Sequence, residues 1–157
     1  MKTQGTDLYL IDPLNNQLLD VGCVTEITGI DATIEQIETT CLQNLDRTYV
    51  SGLSTPGAAS FTVNTDTANP THIRLHQIKQ AGETVKWAIG LSDSPGTPPT
   101  VAVDSNGADF TLPNSRSWIV FEGFMNSFPF SFGLNAVVQS AIGVQVSGGI
   151  ELIPATA

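Results

Sequence analysis

The chain has 157 residues, 41% of them hydrophobic, which suits one globular domain with its own core. Charged residues make up only 13%, about half of the usual share, and fifteen acids against six bases give a net charge of −9. An acidic surface repels phosphates and anionic lipids, so tight binding to nucleic acid or to a membrane surface is disfavoured. The low charge fits a subunit whose surface is mostly interface, or equally a β protein kept soluble by neutral polar groups.

The N-terminal third of the sequence holds eight of the acids before Arg47, with Lys2 as its one base. This predicts a negative face, although scattered solubilising acids would look the same. The first residues lack the apolar stretch of a usual signal peptide, and no segment approaches twenty apolar residues. Neither a secretory leader nor a membrane anchor is expected.

Alternation of apolar and polar residues predicts strands along most of the chain. Residues 6–11 form a short strand, and residues 19–30 form a long strand whose return strand is 32–40. The long strand presents Asp20, Glu26 and Thr28 on its polar face. Residues 41–56 lack a firm period, which predicts a long loop, and a further strand follows at 60–64.

One helix is predicted over residues 69–81. Asn69 is a good N-cap, Pro70 suits the first helical position, and Gly82 suits the end. The spacing of Leu75 and Ile78 places them on the inner face, with Ile73 pointing outward.

The C-terminal half is predicted to contain a strand at 84–91, a long proline-rich loop at 92–115 and two long strands at 116–130 and 135–147. Within the loop, Asp104 to Gly107 has the composition of a hairpin turn. Glu122 lies on the polar face of the first long strand, and Gln139 and Gln145 lie on that of the second.

These elements predict a mainly β fold, an antiparallel sandwich or open barrel with one amphipathic α-helix, forming a single domain over 1–157. Two long hairpins stand out, at about 19–40 and 116–147. Their strands are roughly twice the usual length, and their polar faces are nearly free of the lysines that guard sheet edges. Such a sheet is suited to pairing with a copy of itself.

Residue patterns for catalysis or metal binding are incomplete. His72 and His76 have the i, i+4 spacing of a zinc site, but the sequence contains no third histidine, so both are interpreted as polar residues of a surface helix. No nucleophile elbow or phosphate-binding glycine loop occurs, and Glu35 and Glu38 fall on opposite faces of a strand. We therefore predict no enzyme activity, no metal and no cofactor.

The two cysteines, Cys23 and Cys41, are predicted to lie on flanking strands as reduced thiols in the core. A disulfide across the hairpin is the alternative.

The order of these elements, with Glu38-Thr39-Thr40 followed by Arg47-Thr48-Tyr49-Val50-Ser51-Gly52-Leu53, resembles the major tail tube proteins of long-tailed phages over about residues 5–153. The 92–115 loop is longer than in many members of that family.

This resemblance implies a structural virion protein, assembled in the host cytoplasm, whose hexameric rings stack into the tail tube. It implies a fold shared with type VI secretion tubes, an N-terminal arm at 1–5 and an inter-ring loop at 41–56 carrying Asn44, Asp46, Arg47 and Tyr49. It also implies a tape measure protein, tail tip and tail terminator proteins as partners, and double-stranded DNA passing through the lumen without tight binding. The candidate lumen-facing residues are Asp20, Glu26, Thr28, Glu122, Gln139 and Gln145.

Two other functions remain open from the sequence. One is a secreted hexameric ring subunit of a type VI secretion-like tube. The other belongs to a different class, a monomeric β-barrel that binds a small ligand.

Overall fold

The computed structural model describes residues 1–156, which form eleven strands and one helix. The elements are β1 Asp7–Ile11, β2 Leu18–Asp20, β3 Val24–Thr28, β4 Ala32–Glu38, β5 Tyr49–Pro56, β6 Ala58–Asn64, α1 Pro70–Ala81, β7 Thr84–Gly90, β8 Thr100–Asp104, β9 Gly107–Thr111, β10 Trp118–Ser127 and β11 Gln139–Ile153. Seven strands form one antiparallel sheet in the order β2-β1-β7-β10-β11-β6-β3, and β4-β5 and β8-β9 form two-stranded sheets. The predicted mainly β, antiparallel fold with one helix is confirmed.

The seven-stranded sheet curls into an open barrel. Its edge strands β2 and β3 lie at opposite ends of the strand order. They are nevertheless joined by residues 21–23 alone, which can span at most about 14 Å, so the two edges lie close together. One face of the sheet therefore encloses a core, in which Trp87 lies parallel to Phe121 and contacts Phe61 at 5.2 Å between ring centroids. The other face points outward.

Helix α1 closes one end of this barrel. The Asn69 side chain accepts a hydrogen bond from the Thr71 amide, and Gly82 ends the helix in the left-handed conformation with φ of 69°. Leu75 and Ile78 are fully buried against the core, while Ile73 is 47% exposed. The predicted helix is therefore confirmed, and so is the assignment of Leu75 and Ile78 to its inner face and of Ile73 to its outer face.

The 92–115 segment, predicted as a long loop, contains the hairpin β8-β9. Its turn lies between Asp104 and Gly107, as the sequence indicates. Phe110 and Leu112 pack over Tyr9 and Trp118 on the outside of the barrel. The prediction of a loop was wrong here. The prolines of this segment favoured a loop, but apolar contacts on the outer face of the barrel hold residues 100–111 as a short hairpin.

The predicted strand 19–30 and its hairpin with 32–40 were also wrong. Val21 turns into the core and donates its amide to Leu8, and Cys23 adopts a φ of 60°, so the chain breaks between β2 and β3. β3 pairs with β6 and β4 pairs with β5, which makes one long ribbon from residues 24–38 and 49–64. Residues 49–56, predicted as part of a loop, are thus strand β5.

The second predicted hairpin is present as β10-β11, although its connection occupies residues 128–138 and β11 continues to Ile153.

Both cysteines are exposed, which corrects their assignment to the core. Cys23 lies in the 21–23 connection, and Cys41 lies in the loop between β4 and β5. Neither forms a disulfide.

Candidate assembly surfaces

A mostly polar surface covers the outward face of β3, β6, β11 and the middle of β10, where Phe124 lies beside Gln145 as an apolar exception. Cross-strand partners share a face, so the register places Glu26 beside Thr62, Thr28 beside Ser60, and Gln139 beside Asn64. The alternate residues of these strands, among them Phe61 and Ile142, point into the core. We call this surface the polar wall, and it comprises Glu26, Thr28, Ser60, Thr62, Asn64, Glu122, Gln139 and Gln145.

The polar wall contains five of the candidate lumen residues. Glu122 lies opposite Lys86 of β7, whose ammonium group is 3.7 Å from the Asp109 carboxylate and also bonds the Ala108 carbonyl. Gln145 donates to the carbonyl of Gly57 at 3.4 Å. The wall itself carries two carboxylates and no base, so its charge is negative.

Asp20, the sixth candidate, lies elsewhere in the strand order. It pairs with Tyr9 in β2, beside the region that the β8-β9 hairpin covers. Burial and the nearby Asp7 carboxylate raise the pKa of Asp20. The structure therefore does not bring Asp20 into the polar wall.

The hairpin β4-β5, with its connecting loop 39–48, projects from the domain, and we call residues 32–56 the arm. Its side chains are almost all exposed, including Ile34, Ile37, Tyr49 and Leu53. A two-stranded hairpin of this kind has little stability of its own in water.

The candidate inter-ring residues all lie in the arm. Asn44, Asp46 and Arg47 are in its loop, and Tyr49 begins β5, so the structure groups them near the free end. Leu42 and Leu45 are fully exposed beside them. Arg47 lies 4.0 Å from Glu38, an exposed pair of little energetic value.

A groove lies at the end of the barrel that α1 closes. It has a volume of about 350 Å³, and Thr65, His72, Ile73, His76, Phe128 and Phe130 contribute to its lining. We call it the helix-end groove. Phe128 packs edge-on against the ring of His76 at 5.2 Å.

His72 corrects the interpretation of both histidines as surface residues. Its side chain is buried, with Nδ1 accepting from the Asp66 amide and Nε2 donating to the Gly22 carbonyl. These bonds require the neutral ring and connect α1 to the 21–23 segment. Among residues 1–156, no group of three or more His, Cys, Asp or Glu residues is placed to hold a metal.

Arg116 is a fully buried cation that was not predicted from the sequence. Its guanidinium donates to the carbonyls of Gly5, Gly90, Leu91 and Thr97 and to the Asp7 carboxylate, at 2.6 to 3.0 Å. Trp118 lies under it, with the guanidinium carbon 5.2 Å from the ring centroid. The N-terminal segment and the proline-rich segment are thereby fixed to the end of β7. Its position between Ser115 and Ser117 carries no local signal of burial.

Comparisons with known proteins agree with one another. The family model described as phage tail tube, TTP, lambda-like matches residues 1–156. Structural protein 3 of Pseudomonas phage PAJU2 is 54% identical over 155 residues, which is 98% of this chain and 94% of that protein.

Solved structures share the fold at low sequence identity. The SPP1 tail tube superposes with a TM-score of 0.70 at 12% identity, over 98% of this chain and 79% of that one. The tail of an empty gene transfer agent (GTA) particle, refined with C6 symmetry, gives 0.66 at 13% identity, over 100% and 99%. No helix among residues 1–156 has the length and hydropathy of a membrane span.

Proposed function

The chain belongs to the lambda-like family of phage tail tube proteins, structural proteins of the virion tail, and from this premise we propose how it builds the tube. Six copies form a ring, and rings stack into a hollow wall through which double-stranded DNA leaves the particle. The observation that carries this proposal is the polar wall, whose named residues are all polar and include two carboxylates and no base.

The polar wall is suited to line the lumen. Glu26 and Glu122 give it negative charge, and Thr28, Gln139 and Gln145 give it neutral polar groups that face water. A conduit for DNA needs a surface that repels phosphates, because basic side chains would bind the phosphates and slow the passing duplex. Asp20 is not included in this lining because it lies outside the polar wall.

Ring closure gives the exposed edge of β3 a partner. In the single chain, β3 pairs only with β6, so its outer edge presents unpaired backbone groups without a lysine among residues 24–28. Pairing this edge with a neighbouring copy removes a site for uncontrolled aggregation.

The arm and the N-terminal segment are proposed to connect successive rings. The arm is the exposed element, with Asn44, Asp46, Arg47 and Tyr49 near its free end. Residues 1–5 lie beside the proline-rich segment, where Ser92 donates to the Lys2 carbonyl. A tape measure protein inside the tube, and tip and terminator proteins at its ends, are the further proposed partners.

A structural role is what the family indicates, and we propose that the chain has no catalytic activity of its own. Its titratable residues with shifted pKa values lie in three separate places: Tyr9 beside Asp20, Asp12 paired with Arg74, and Asp93. Asp12 and Arg74 neutralise each other in a bidentate pair with bonds of 2.7 and 2.8 Å.

Electron microscopy of the concentrated protein tests this proposal. Hollow filaments of uniform width, with sixfold symmetry in end views, are the expected result. A protein that stays monomeric at every concentration, in buffer of low and high salt, would contradict it and would favour a monomeric ligand-binding barrel.

A further inference from the structure

The turn of the β8-β9 hairpin has no part in the proposed assembly, yet its sequence has a chemistry of its own. Ser105 and Asn106 connect Asp104 to Gly107, the last pair of the ladder, and residues 102–107 are all exposed. Asn106 is the one asparagine in the sequence that is followed by a glycine. Asparagine is among the chemically labile residues of proteins, and its stability depends on the residue that follows it.

We propose that Asn106 is a site of spontaneous deamidation, at which the chain forms aspartate and isoaspartate without an enzyme. The backbone nitrogen of Gly107 loses its proton to solvent base and attacks Cγ of Asn106, and the side-chain nitrogen leaves as ammonia. Water then opens the resulting cyclic succinimide at either of its carbonyls. One water is consumed and one ammonia is released, with no oxidant or cofactor. Because every reacting atom belongs to one turn of one chain, the inference does not depend on the proposed function.

The structure leaves room for this attack. Gly107 has no side chain to hinder the approach of its nitrogen, and a Cβ atom built on it would meet no atom within 4 Å. The hairpin forms a two-stranded sheet apart from the seven-stranded one, and such a ladder has little stability of its own. The turn can therefore open locally at a low cost in free energy and reach the geometry of the attack.

The arm contains a matched comparison in the same chain. Asn44 is also exposed in a loop, and its amide donates to the Cys41 carbonyl, but the residue after it is Leu45. A branched side chain at this position hinders the approach of the backbone nitrogen to Cγ. Asn44 should therefore remain an amide under conditions in which Asn106 reacts.

Deamidation changes the turn in two ways. The aspartate product adds a negative charge beside Asp104, in a chain whose net charge is already −9. The isoaspartate product directs the main chain through Cβ, which lengthens the turn. Because the length and type of the turn set the register of a hairpin, the pairing of Asp104 with Gly107 is then disturbed.

The lengthened turn acts on the contacts that hold the hairpin to the barrel. Ala108 is the next residue of the ladder, and its carbonyl accepts a hydrogen bond from Lys86 at 3.0 Å. Asp109 lies 3.7 Å from the same ammonium group, and Lys86 lies opposite Glu122 of the polar wall. Isoaspartate at position 106 should therefore loosen the hairpin from β7 and free this base at the border of the polar wall.

Peptide mapping by mass spectrometry tests the modification. The unmodified protein is incubated for days at mildly alkaline pH, in native buffer and in urea, and isoaspartate is labelled with an isoaspartyl methyltransferase. In native buffer, the peptide that contains Asn106 should gain the acid form and the label at least about ten-fold faster than the peptide that contains Asn44. Asn106→Gln should remove the label, since the longer side chain forms the corresponding ring far more slowly.

Equal rates at the two asparagines, or no acid form at Asn106 in the folded protein while the urea sample reacts, would overturn the inference. Hydrogen exchange tests the structural consequence. In molecules that carry isoaspartate, the amides of 100–111 should exchange at least about ten-fold faster than in the fresh protein. Unchanged exchange in these molecules would refute the loosening of the hairpin.

Discussion

Gly29 and Gly57 face each other at the point where the β3-β6 ladder ends and the arm begins. A Cβ atom on Gly57 would lie 2.9 Å from the Asp31 carbonyl oxygen and 3.7 Å from that of Gly29, and one on Gly29 would lie 2.5 Å from the Ala58 carbonyl oxygen. The two backbones approach so closely that neither position has room for a side chain. This junction sets the direction in which the arm leaves the barrel.

Gly29→Ala should destabilise the fold and prevent correct tube assembly. Gly29 has a φ of 76°, which an alanine adopts only with strain, and the added methyl group meets backbone that cannot yield. The free energy of unfolding should fall by about 2 kcal/mol in urea titrations. Gly149→Ala is the control, since a Cβ there meets nothing within 4 Å, and it should change stability by less than about 0.5 kcal/mol. Equal effects of the two changes would refute the role of the junction.

Arg116→Met should be among the most damaging single changes. Removing the guanidinium leaves four carbonyls and the Asp7 carboxylate without their donor, at a cost of about 3–5 kcal/mol in the free energy of unfolding. Arg116→Lys should recover only part of this, because one ammonium group cannot reach partners spread around a planar fork. Arg47→Met, at an exposed site, should change stability by less than about 0.5 kcal/mol. Urea denaturation at pH 7 measures the free energy of unfolding of all three variants. An Arg116→Met protein as stable as the unmodified protein would show that these hydrogen bonds do not stabilise the fold.

The Asp12-Arg74 pair should make stability depend on pH in the acid range. Hydrogen bonds from Arg74 hold the pKa of Asp12 below its usual value of 3.8. A carboxyl whose pKa is lowered on folding stabilises the protein above its unfolded pKa, and this contribution is lost as pH falls through the folded pKa. Asp12→Asn should therefore cost a few kcal/mol at pH 7 and progressively less below about pH 4. A cost that does not change with pH would show that the charge is not involved.

The contribution of Asp20 to stability should depend on pH with the opposite sign to that of Asp12. Burial, with repulsion from Asp7, raises its pKa, so the ionised carboxylate opposes folding. Its favourable contribution is present below the unfolded pKa and is lost as pH rises through the folded pKa. Asp20→Asn should stabilise the protein at pH 7 by no more than about 1 kcal/mol, because the site is partly exposed, with no gain below about pH 4. Thermal melts at the two pH values check this, and a loss of stability at pH 7 would count against it.

Local signals predicted the elements that depend on neighbouring residues. The bounds of α1 follow from its N-cap Asn69, its first residue Pro70 and its C-cap Gly82. The β8-β9 turn follows from the turn residues between Asp104 and Gly107. Alternation identified the β10-β11 hairpin and most residues of the polar wall, because period two follows from strand geometry alone.

Choices between distant partners could not be predicted in this way. β4 pairs with β5 and not with β3, because the chain continues through 29–31 without reversing and turns back at 39–48. Arg116 and His72 look like surface residues in the sequence, since their burial depends on acceptors contributed by segments far along the chain. The burial of these two residues therefore could not be predicted from the sequence around them.

A helical reconstruction of the assembled protein by electron cryo-microscopy would show directly which surface lines the tube. Rings of six subunits are expected, with an open lumen faced by Glu26, Thr28, Glu122, Gln139 and Gln145. Rings whose lumen is lined by another surface, with the polar wall turned toward the outside of the tube, would contradict this expectation.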